Sequence, residues 1–362
     1  MNKIGIMSMQ RVDNYGSYLQ AYGLKQLIEN NVSNCEVIFI DHVYEQSLVG
    51  DGVYTSWLQN KIKIIKNPID FIRKKIYLKE FHDSMNIYRE KIGIKTDLNN
   101  SKDIDKLVIG SDEVFNCMQP YPIGYSKSFF GLGYTNVISY AASFGHTSIL
   151  DLQKMKIETE IASMLKKFRA LSVRDENSFS LIKKLTGKEP SVNLDPVLVS
   201  EYDLDIIGHN PLNCEYIIVY AYTGRLDRQE EKFIKNFAKI ENKKIVSIGN
   251  YQKIADYNII CEPLEVFSYF KYADFIITDT FHGTIFSIKT EARFCTIIRD
   301  SNKSKLNFLL NKLNKEDRIA KSLSDIRRLY KSNLDYDKTV EILKKEKEMT
   351  INYLRKYLDD EK

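Results

Sequence analysis

The stretch FIITDTFHGTIFSI, residues 275–288, runs apolar, turns polar around one histidine and becomes apolar again. His282 is followed there by Gly283 and Thr284, so an imidazole stands beside backbone that an anion can approach closely. Arg174 leaves the apolar run ALSV with a permanent charge and a planar fork suited to carboxylate or phosphate. Beyond the later run RFCTIIR come Arg299, Asn302, Lys303 and Lys305. Two earlier segments carry smaller polar residues: QRVDNYG with Asn14, Tyr15 and Gly16, and GSDEVFN with Ser111 and Asp112. Arg174, His282, Arg299 and Lys305 together could surround a small, multiply charged anion, with the histidine exchanging protons. Each residue also has a plain structural reading. His282 can be packed at a tight connection, Arg174 paired to a neighbouring helix, Lys303 at a solvated helix start, and NYG and GSD mere turn and cap residues.

These residues share one place in the chain, since each follows an apolar, β-branched run and leads toward a helix or loop. In the first half KIGIMSM, EVIFID, KLVIG, NVISYAA and RALSVR read as strands. Between the first two lies GSYLQAYGLKQLIEN, a helix with Leu19, Gly23 and Leu27 on one face. The second half repeats the rhythm with EYIIVYAY, a charged helix from Asp227 to about Glu241, then KKIVSIG, NIICEP, DFIITD and RFCTIIR. The fold class is α/β, with two doubly wound, Rossmann-like domains facing across a cleft. In open α/β sheets ligands bind outside the carboxyl ends of the strands, where helix N-termini offer N–H groups to anions. The expected division is an N-terminal domain over 1–200 with a helical insertion at about 50–95, a C-terminal domain over 210–330, and a long helix over 335–362. The D-P and N-P steps in NLDPVLVSEYDLDIIGHNPLN, residues 193–213, mark the break. In the tail Ile342, Leu343, Met349, Tyr353, Leu354, Tyr357 and Leu358 are the apolar residues.

Composition narrows the partners. The chain has 362 residues, 43% of them hydrophobic, and 53 basic against 48 acidic side chains give a net charge of +5. That excess is spread rather than gathered into the dense basic runs of nucleic-acid binders. The five cysteines are odd in number and scattered, with no pair at metal-ligand spacing, which fits reduced thiols in the cytoplasm. The start MNKIGIMSMQ lacks the pattern of a secretory signal, and no run approaches the ~18 apolar residues of a membrane span. Only KIKIIKNPIDFIRKKIYLKEF breaks the βα rhythm, with seven Lys and Arg against two acids interleaved with Ile and Phe. Two readings fit it: a basic amphipathic helix over residues 61–79 that contacts an anionic membrane surface, or a helical insertion packed on the first domain.

In order, RVDNYGSYLQAYGL, VIGSDEVFN, SYAASFG, SVRDENS, LDPVLV and ADFIITDTFHGTIFSI resemble the polysaccharide pyruvyl transferase family, from about Gly5 to Ser304. The resemblance implies a fold like that of GT-B glycosyltransferases and transfer of a pyruvyl group from phosphoenolpyruvate to a hexose as a cyclic ketal. It implies donor binding and catalysis for Arg174 and His282, and a role for a basic residue beyond the next strand, Lys303 or, preferably, Lys305. Some relatives carry an arginine two residues before the histidine, where this chain has Thr280, leaving Arg174, Arg299 or Lys305 to supply that charge.

On this basis Arg174 and Lys305 are expected to clamp the donor, the N–H groups of Gly283 and Thr284 to cradle its phosphate, and His282 to be the acid, its ordinary pKa of ~6.5 suiting the task. Asp112 is the carboxylate expected to deprotonate the sugar. Asn14, Tyr15, Gly16, Ser111, Arg299 and Asn302 complete the expected substrate contacts. No metal or cofactor is called for beyond phosphoenolpyruvate as donor substrate. The expected acceptor is a lipid-linked oligosaccharide at the inner face of the plasma membrane. Two other functions stay open: a GT-B-type glycosyltransferase with Glu262 or Glu265 on the ribose of a nucleotide sugar, and a non-catalytic glycan-assembly subunit.

Overall fold

The computed structural model describes residues 1–49, 67–121 and 123–359. In the first half, β1 (Asn2–Met7) leads to α1 (Tyr15–Asn31) and β2 (Cys35–Phe39), then α2 (Pro68–Lys91), β3 (Lys106–Ile109) and β4 (Val137–Ser139). Helices α3 (Ile149–Lys154) and α4 (Glu158–Leu165), strand β5 (Ser172–Val173), helix α5 (Glu176–Thr186), strand β6 (Ser191–Val192) and the short helix α6 (Pro196–Val199) follow. The sheet is parallel in the order β2-β1-β3-β4, with Ile4 opposite both Val37 and Lys106. The β5-β6 pair docks at its β4 edge through bridges from Ile138 to Ala170 and from Ala142 to Val173.

The second half runs β7 (Tyr216–Tyr220), α7 (Arg228–Ile240), β8 (Lys244–Ile248), β9 (Tyr257–Ile259), α8 (Glu265–Tyr272), β10 (Phe275–Thr278) and α9 (Phe281–Lys289). It continues with β11 (Phe294–Ile297), α10 (Lys303–Lys312), β12 (Ile319–Ala320), α11 (Leu323–Lys331) and α12 (Asp337–Leu358). Its six strands are parallel in the order β12-β11-β10-β7-β8-β9. Strands β3, β7 and β10 are buried along their whole length, as a parallel sheet covered on both faces requires. Each sheet places its first strand between neighbours reached in opposite directions, β1 between β2 and β3, and β7 between β8 and β10. Such switch points open a crevice at the carboxyl ends of the strands.

The α/β architecture with two Rossmann-like sheets is as expected. The two-residue strands β5 and β6 carry too little pattern to be bounded from sequence, and β12 was not anticipated for the same reason. Of the anticipated insertion, residues 50–66 lie outside the described residues. The rest is one helix, α2, started by Pro68 at its first turn and by the Asn67 side chain, which accepts from the Asp70 N–H. It is not an appendage of the first domain alone. Tyr77 donates to the Ile259 carbonyl (2.9 Å) and Tyr251 to Asp70 (2.8 Å), while Arg89 donates to the carbonyls of Gln10 and Arg11, both at 3.0 Å. Helix α2 therefore ties the two halves together.

Helix α12 is a second tie, returning from the second half to the first. Tyr353 donates to the Ser139 carbonyl (2.8 Å), and Lys106 and Asn2 donate to the Leu358 carbonyl at 2.7 and 3.2 Å. Its buried face departs from the expected one: Met349 is 52% exposed, whereas Thr339, Glu346 and Thr350 are buried, Thr350 bonded to the Tyr140 hydroxyl. Between the two domains an apolar cluster is continuous, with α6 packed against α1, α9 and α12 through Leu19, Val197, Leu198, Ile285, Phe286 and Leu354.

At the end of α9, Lys289 donates to the carbonyls of Leu198 and Ser200 at 3.2 and 2.6 Å. Burial lowers its ammonium group from 10.5 to about 8, with Lys347 adding to the shift and Glu201 opposing it. Between those values the unfolded chain binds more protons than the folded one, so stability contributed here rises as pH climbs from about 8 toward 10.5. Relative to a Lys289→Met variant, the parent is expected to gain about 1–3 kcal/mol of unfolding free energy between neutral pH and that range. Denaturant unfolding of both proteins at the two pH values checks it, and a pH-independent difference would refute the buried charge.

Candidate active site

Loops after β1, β3, β5, β7, β10 and β11 line one cavity of about 290 Å³, where the switch points of the two sheets meet. The first domain contributes Asn14, Asp112, Glu113 and Arg174, and the second contributes Arg225, Phe281, His282, Asn302 and Lys305. Local structure sets each of them. Asn14 caps α1, accepting from the Gly16 N–H at 2.6 Å. Thr280 caps α9, accepting from the Gly283 N–H at 2.9 Å, so His282 falls in the first turn of a helix that begins directly after β10. Asp112 sits at φ +85°, a left-handed conformation costly for any residue other than glycine. That turn delivers its carboxylate to Arg174 (3.0 Å) and to the Ser17 hydroxyl (2.9 Å).

Arg174 and His282 meet at a residue that sequence reasoning passed over, Asp195. Its carboxylate accepts from Arg174 Nη1 (2.6 Å) and from the Ser111 hydroxyl (3.0 Å), and its other oxygen caps α6 by accepting from the Val197 N–H (3.1 Å). His282 Nε2 lies 3.7 Å from the same carboxylate, an ionic approach short of a hydrogen bond, and has no hydrogen-bond partner among the described residues. Burial alone would raise the Asp195 carboxyl, but His282 and Arg174 outweigh it and hold it at about 2. The D-P step disguised this residue as a turn signal. Its role depends on β5, on α9 and on the loop after β3, none of which is adjacent in sequence.

The remaining cations are also partnered. Lys305 of α10 pairs with Glu113 of the loop after β3, an ion pair reaching across the cavity from one domain to the other. Burial pushes the Glu113 carboxyl up, but Lys305 outweighs it and leaves it lowered. Arg225 donates to the Ser301 hydroxyl and lies 3.7 Å from Asp279. The Phe281 ring carries Arg174 at 4.4 Å and Lys305 at 5.5 Å, holding both cations against one apolar plate. An incoming anion would thus find cations in place and would compete with carboxylates for them.

Several expected site residues stand elsewhere. Arg299 is a clamp outside the cavity lining, bidentate to Glu230 (2.7 and 3.0 Å) and bonded to Asp279 (3.0 Å), while Arg225 takes the place on the cavity wall. Asn302 lines the cavity, but its amide is spent on the Asp279 carbonyl and the Arg299 N–H. Tyr15 is buried with its hydroxyl bonded to the Cys261 backbone, a contact between domains rather than with a ligand. Ser111 is fully buried beneath Arg174. Gly16 and Gly283 are small because of neighbours: a Cβ would stand 2.1 Å from His282 Cγ in the first case and 2.2 Å from Thr278 Oγ1 in the second.

The N–H groups of Gly283 and Thr284 do not form a phosphate cradle, since Thr280 takes both, one on its hydroxyl and one on its carbonyl (3.2 Å). Asp112 is a weak base, because Arg174, His282 and Lys305 more than cancel the effect of burial and lower its carboxyl. Lys303 is exposed and off the cavity wall. Glu262 pairs with Lys91 on the surface, Glu265 accepts from the Glu262 N–H, and neither lines the cavity.

Two Rossmann-like domains whose switch points converge on one charged cavity make this a GT-B-like protein. The chain belongs to the polysaccharide pyruvyl transferase family, whose model matches residues 14–301. It is therefore a transferase acting on polysaccharides. Among curated proteins none matches the chain. Solved structures similar to it include UDP-GlcNAc 2-epimerase from Neisseria meningitidis bound to UDP-GlcNAc, at 8% identity and a TM-score of 0.48, with 98% of each chain covered. The UDP-GlcNAc 2-epimerase of Methanocaldococcus jannaschii, in complex with UDP-GlcNAc and UDP, is similar at 13% identity and a TM-score of 0.48, with 98% of this chain and 99% of that one covered. A mutant of Thermobaculum terrenum O-GlcNAc transferase is similar at 10% identity and a TM-score of 0.43. The match covers 98% of this chain but only 64% of that one. No helix among the described residues is long and apolar enough to cross a membrane.

Proposed function

We propose that this transferase moves a pyruvyl group from phosphoenolpyruvate to a hexose of a surface polysaccharide precursor, forming a cyclic pyruvate ketal. The acceptor is a lipid-linked oligosaccharide met from the cytoplasmic side. The observation that supports this reading is the convergence of Arg174, His282 and Lys305, from three separate strand-to-helix connections, on one cavity. Arg174 and Lys305 bind the carboxylate and phosphate of the donor, and Arg225 provides a third cation on the second-domain side. His282 gives a proton to C3, and the cation forming at C2 takes the first sugar hydroxyl, which loses its proton. Phosphate then departs with the C2–O bond electrons and takes up a proton. The second hydroxyl closes the ketal and releases the last proton. Protons and phosphate balance without a cofactor.

The proton of the first hydroxyl needs a carboxylate, and Glu113 suits this better than Asp112. Once Lys305 turns to the donor, Glu113 loses its cation and gains proton affinity, while Asp112 stays beside the Arg174 charge even as that guanidinium shares its N–H groups with the donor. The test is to incubate the protein with phosphoenolpyruvate and model lipid-linked glycosides, measuring free phosphate and product mass. Phosphate release matched by an acceptor carrying a pyruvyl ketal is expected. Nucleoside diphosphate released from a nucleotide sugar, with no turnover of phosphoenolpyruvate, would establish the glycosyltransferase reading instead.

A further inference from the structure

Helix α2 has two apolar faces, and among the described residues only one of them is covered. Tyr77, Phe81 and Met85 are buried against the body of the protein. On the opposite side Ile69, Ile72 and Ile76 recur at helical spacing and are 63%, 56% and 52% exposed. Arg73, Lys75 and Lys79 are exposed beside them. The one acid in this part of the helix, Asp70, is held by the Tyr251 hydroxyl at 2.8 Å. Solvent-facing acids begin only further along, at Glu80, Asp83 and Glu90. The helix thus changes character along its length, with an isoleucine stripe flanked by cations at the N-terminal end and, beyond it, a surface where exposed Ile87 stands among the acids.

We propose that the Ile69–Ile72–Ile76 face of α2 docks on an anionic lipid surface. Three exposed isoleucines adjacent on one helix face form the kind of contiguous apolar patch that marks an interaction surface, and the flanking cations say what chemistry covers it. The isoleucines enter the acyl boundary while Arg73, Lys75 and Lys79 meet headgroup phosphates. Nucleic acid would use the cations and leave the isoleucines wet. The location supports the same partner. At its far end α2 is fastened through Arg89 to the carbonyls of Gln10 and Arg11, on the loop that continues to the cavity-lining Asn14. A surface bound by α2 is therefore held in fixed relation to the rim of the cavity. The docking stands independently of the pyruvyl-transfer reading, since it is measured with no substrate present.

The full chain is sedimented with vesicles of phosphatidylglycerol and phosphatidylcholine, and with phosphatidylcholine alone. Binding to the anionic vesicles, weakened by salt, and little binding to the neutral ones is expected. Ile72→Asn with Ile76→Asn, or Arg73→Glu with Lys75→Glu, should each reduce binding at least tenfold. All four residues are exposed, so the circular dichroism and melting temperature of the variants should match the parent. Turnover of a water-soluble acceptor, where the parent shows it, should be unchanged in the variants. If the parent fails to bind anionic vesicles, binds both vesicle types equally, or binds as well without the two isoleucines, the proposal is wrong. The face is then covered by a protein or by residues 50–66 of this chain. A parent that binds vesicles yet turns over no phosphoenolpyruvate would overturn the proposed reaction and leave the docking intact.

Discussion

Asp195→Asn is expected to lower pyruvyl transfer by about 10³-fold, as great a loss as His282→Ala, in a protein that still folds. The carboxylate does two things at once. It fixes Arg174 Nη1 at 2.6 Å and keeps a negative charge 3.7 Å from His282 Nε2. Asparagine preserves the shape and the acceptor that caps α6, but removes the charge against which a protonated His282 would be stabilised. Arg174 would keep Asp112 as its partner, so the proposed donor clamp would survive in weakened form. The loss should therefore fall mainly on kcat, with KM for phosphoenolpyruvate changed little. If Asp195 works by positioning His282, the double variant Asp195→Asn/His282→Ala should be no slower than either single variant. Losses that multiply would mean that Asp195 acts on a different step. Should asparagine lower the melting temperature sharply, Asp195→Glu keeps the charge and separates the electrostatic role from the structural one.

What could be seen in advance follows from how the information is stored. Arg174, His282 and Lys305 were legible because each lies just beyond an apolar β-branched run, where the alternation of strand and helix places it at the carboxyl edge of a sheet. Position after a strand, however, does not distinguish a residue that faces the cavity from one that faces the protein. Arg299 and Arg225 both follow strands. What decides between them is Glu230, on a helix that packs beside the loop, which accepts both arms of the Arg299 guanidinium. Thr280 makes the same point from the other side. As one position in a motif it marks a missing arginine, whereas in three dimensions it is the buried N-cap that sets His282 in place and consumes the N–H groups once expected to hold phosphate. Glu113, next to Asp112 in GSDEVFN, carries no mark of its own in the sequence, because only the folded chain brings Lys305 to it. The strand order was equally hidden, since pairing between β7 and β10 joins segments far apart in the chain. Local propensity marks the strands, but which strands become neighbours is decided by packing.

Gly16→Ala, a change that would ordinarily strengthen a helix by up to about 1 kcal/mol, is expected here to destabilise the protein by about 1–3 kcal/mol and to slow transfer by about 10²-fold. Gly16 is the second residue of α1 in the first domain, and its added methyl would stand 2.1 Å from Cγ, 2.2 Å from Nδ1 and 2.6 Å from Cβ of His282 in the second. Such distances cannot be met by turning the ring alone, because Cβ is fixed to the backbone of α9. His282 is 5% exposed, and its ring lies against Phe286. Either α1 withdraws from α9, opening the junction between the domains, or the imidazole leaves its place above Asp195. Both outcomes misplace the proposed proton donor by about an ångström, enough for the expected loss of rate. The two effects can be separated by a second change. In Gly16→Ala/His282→Gly the obstructing side chain is gone, so the melting temperature should return toward that of the parent while activity stays lost. If Gly16→Ala alone were as stable and as fast as the parent, α1 and α9 would not be in the contact described, and the placement of His282 at the domain junction would have to be abandoned.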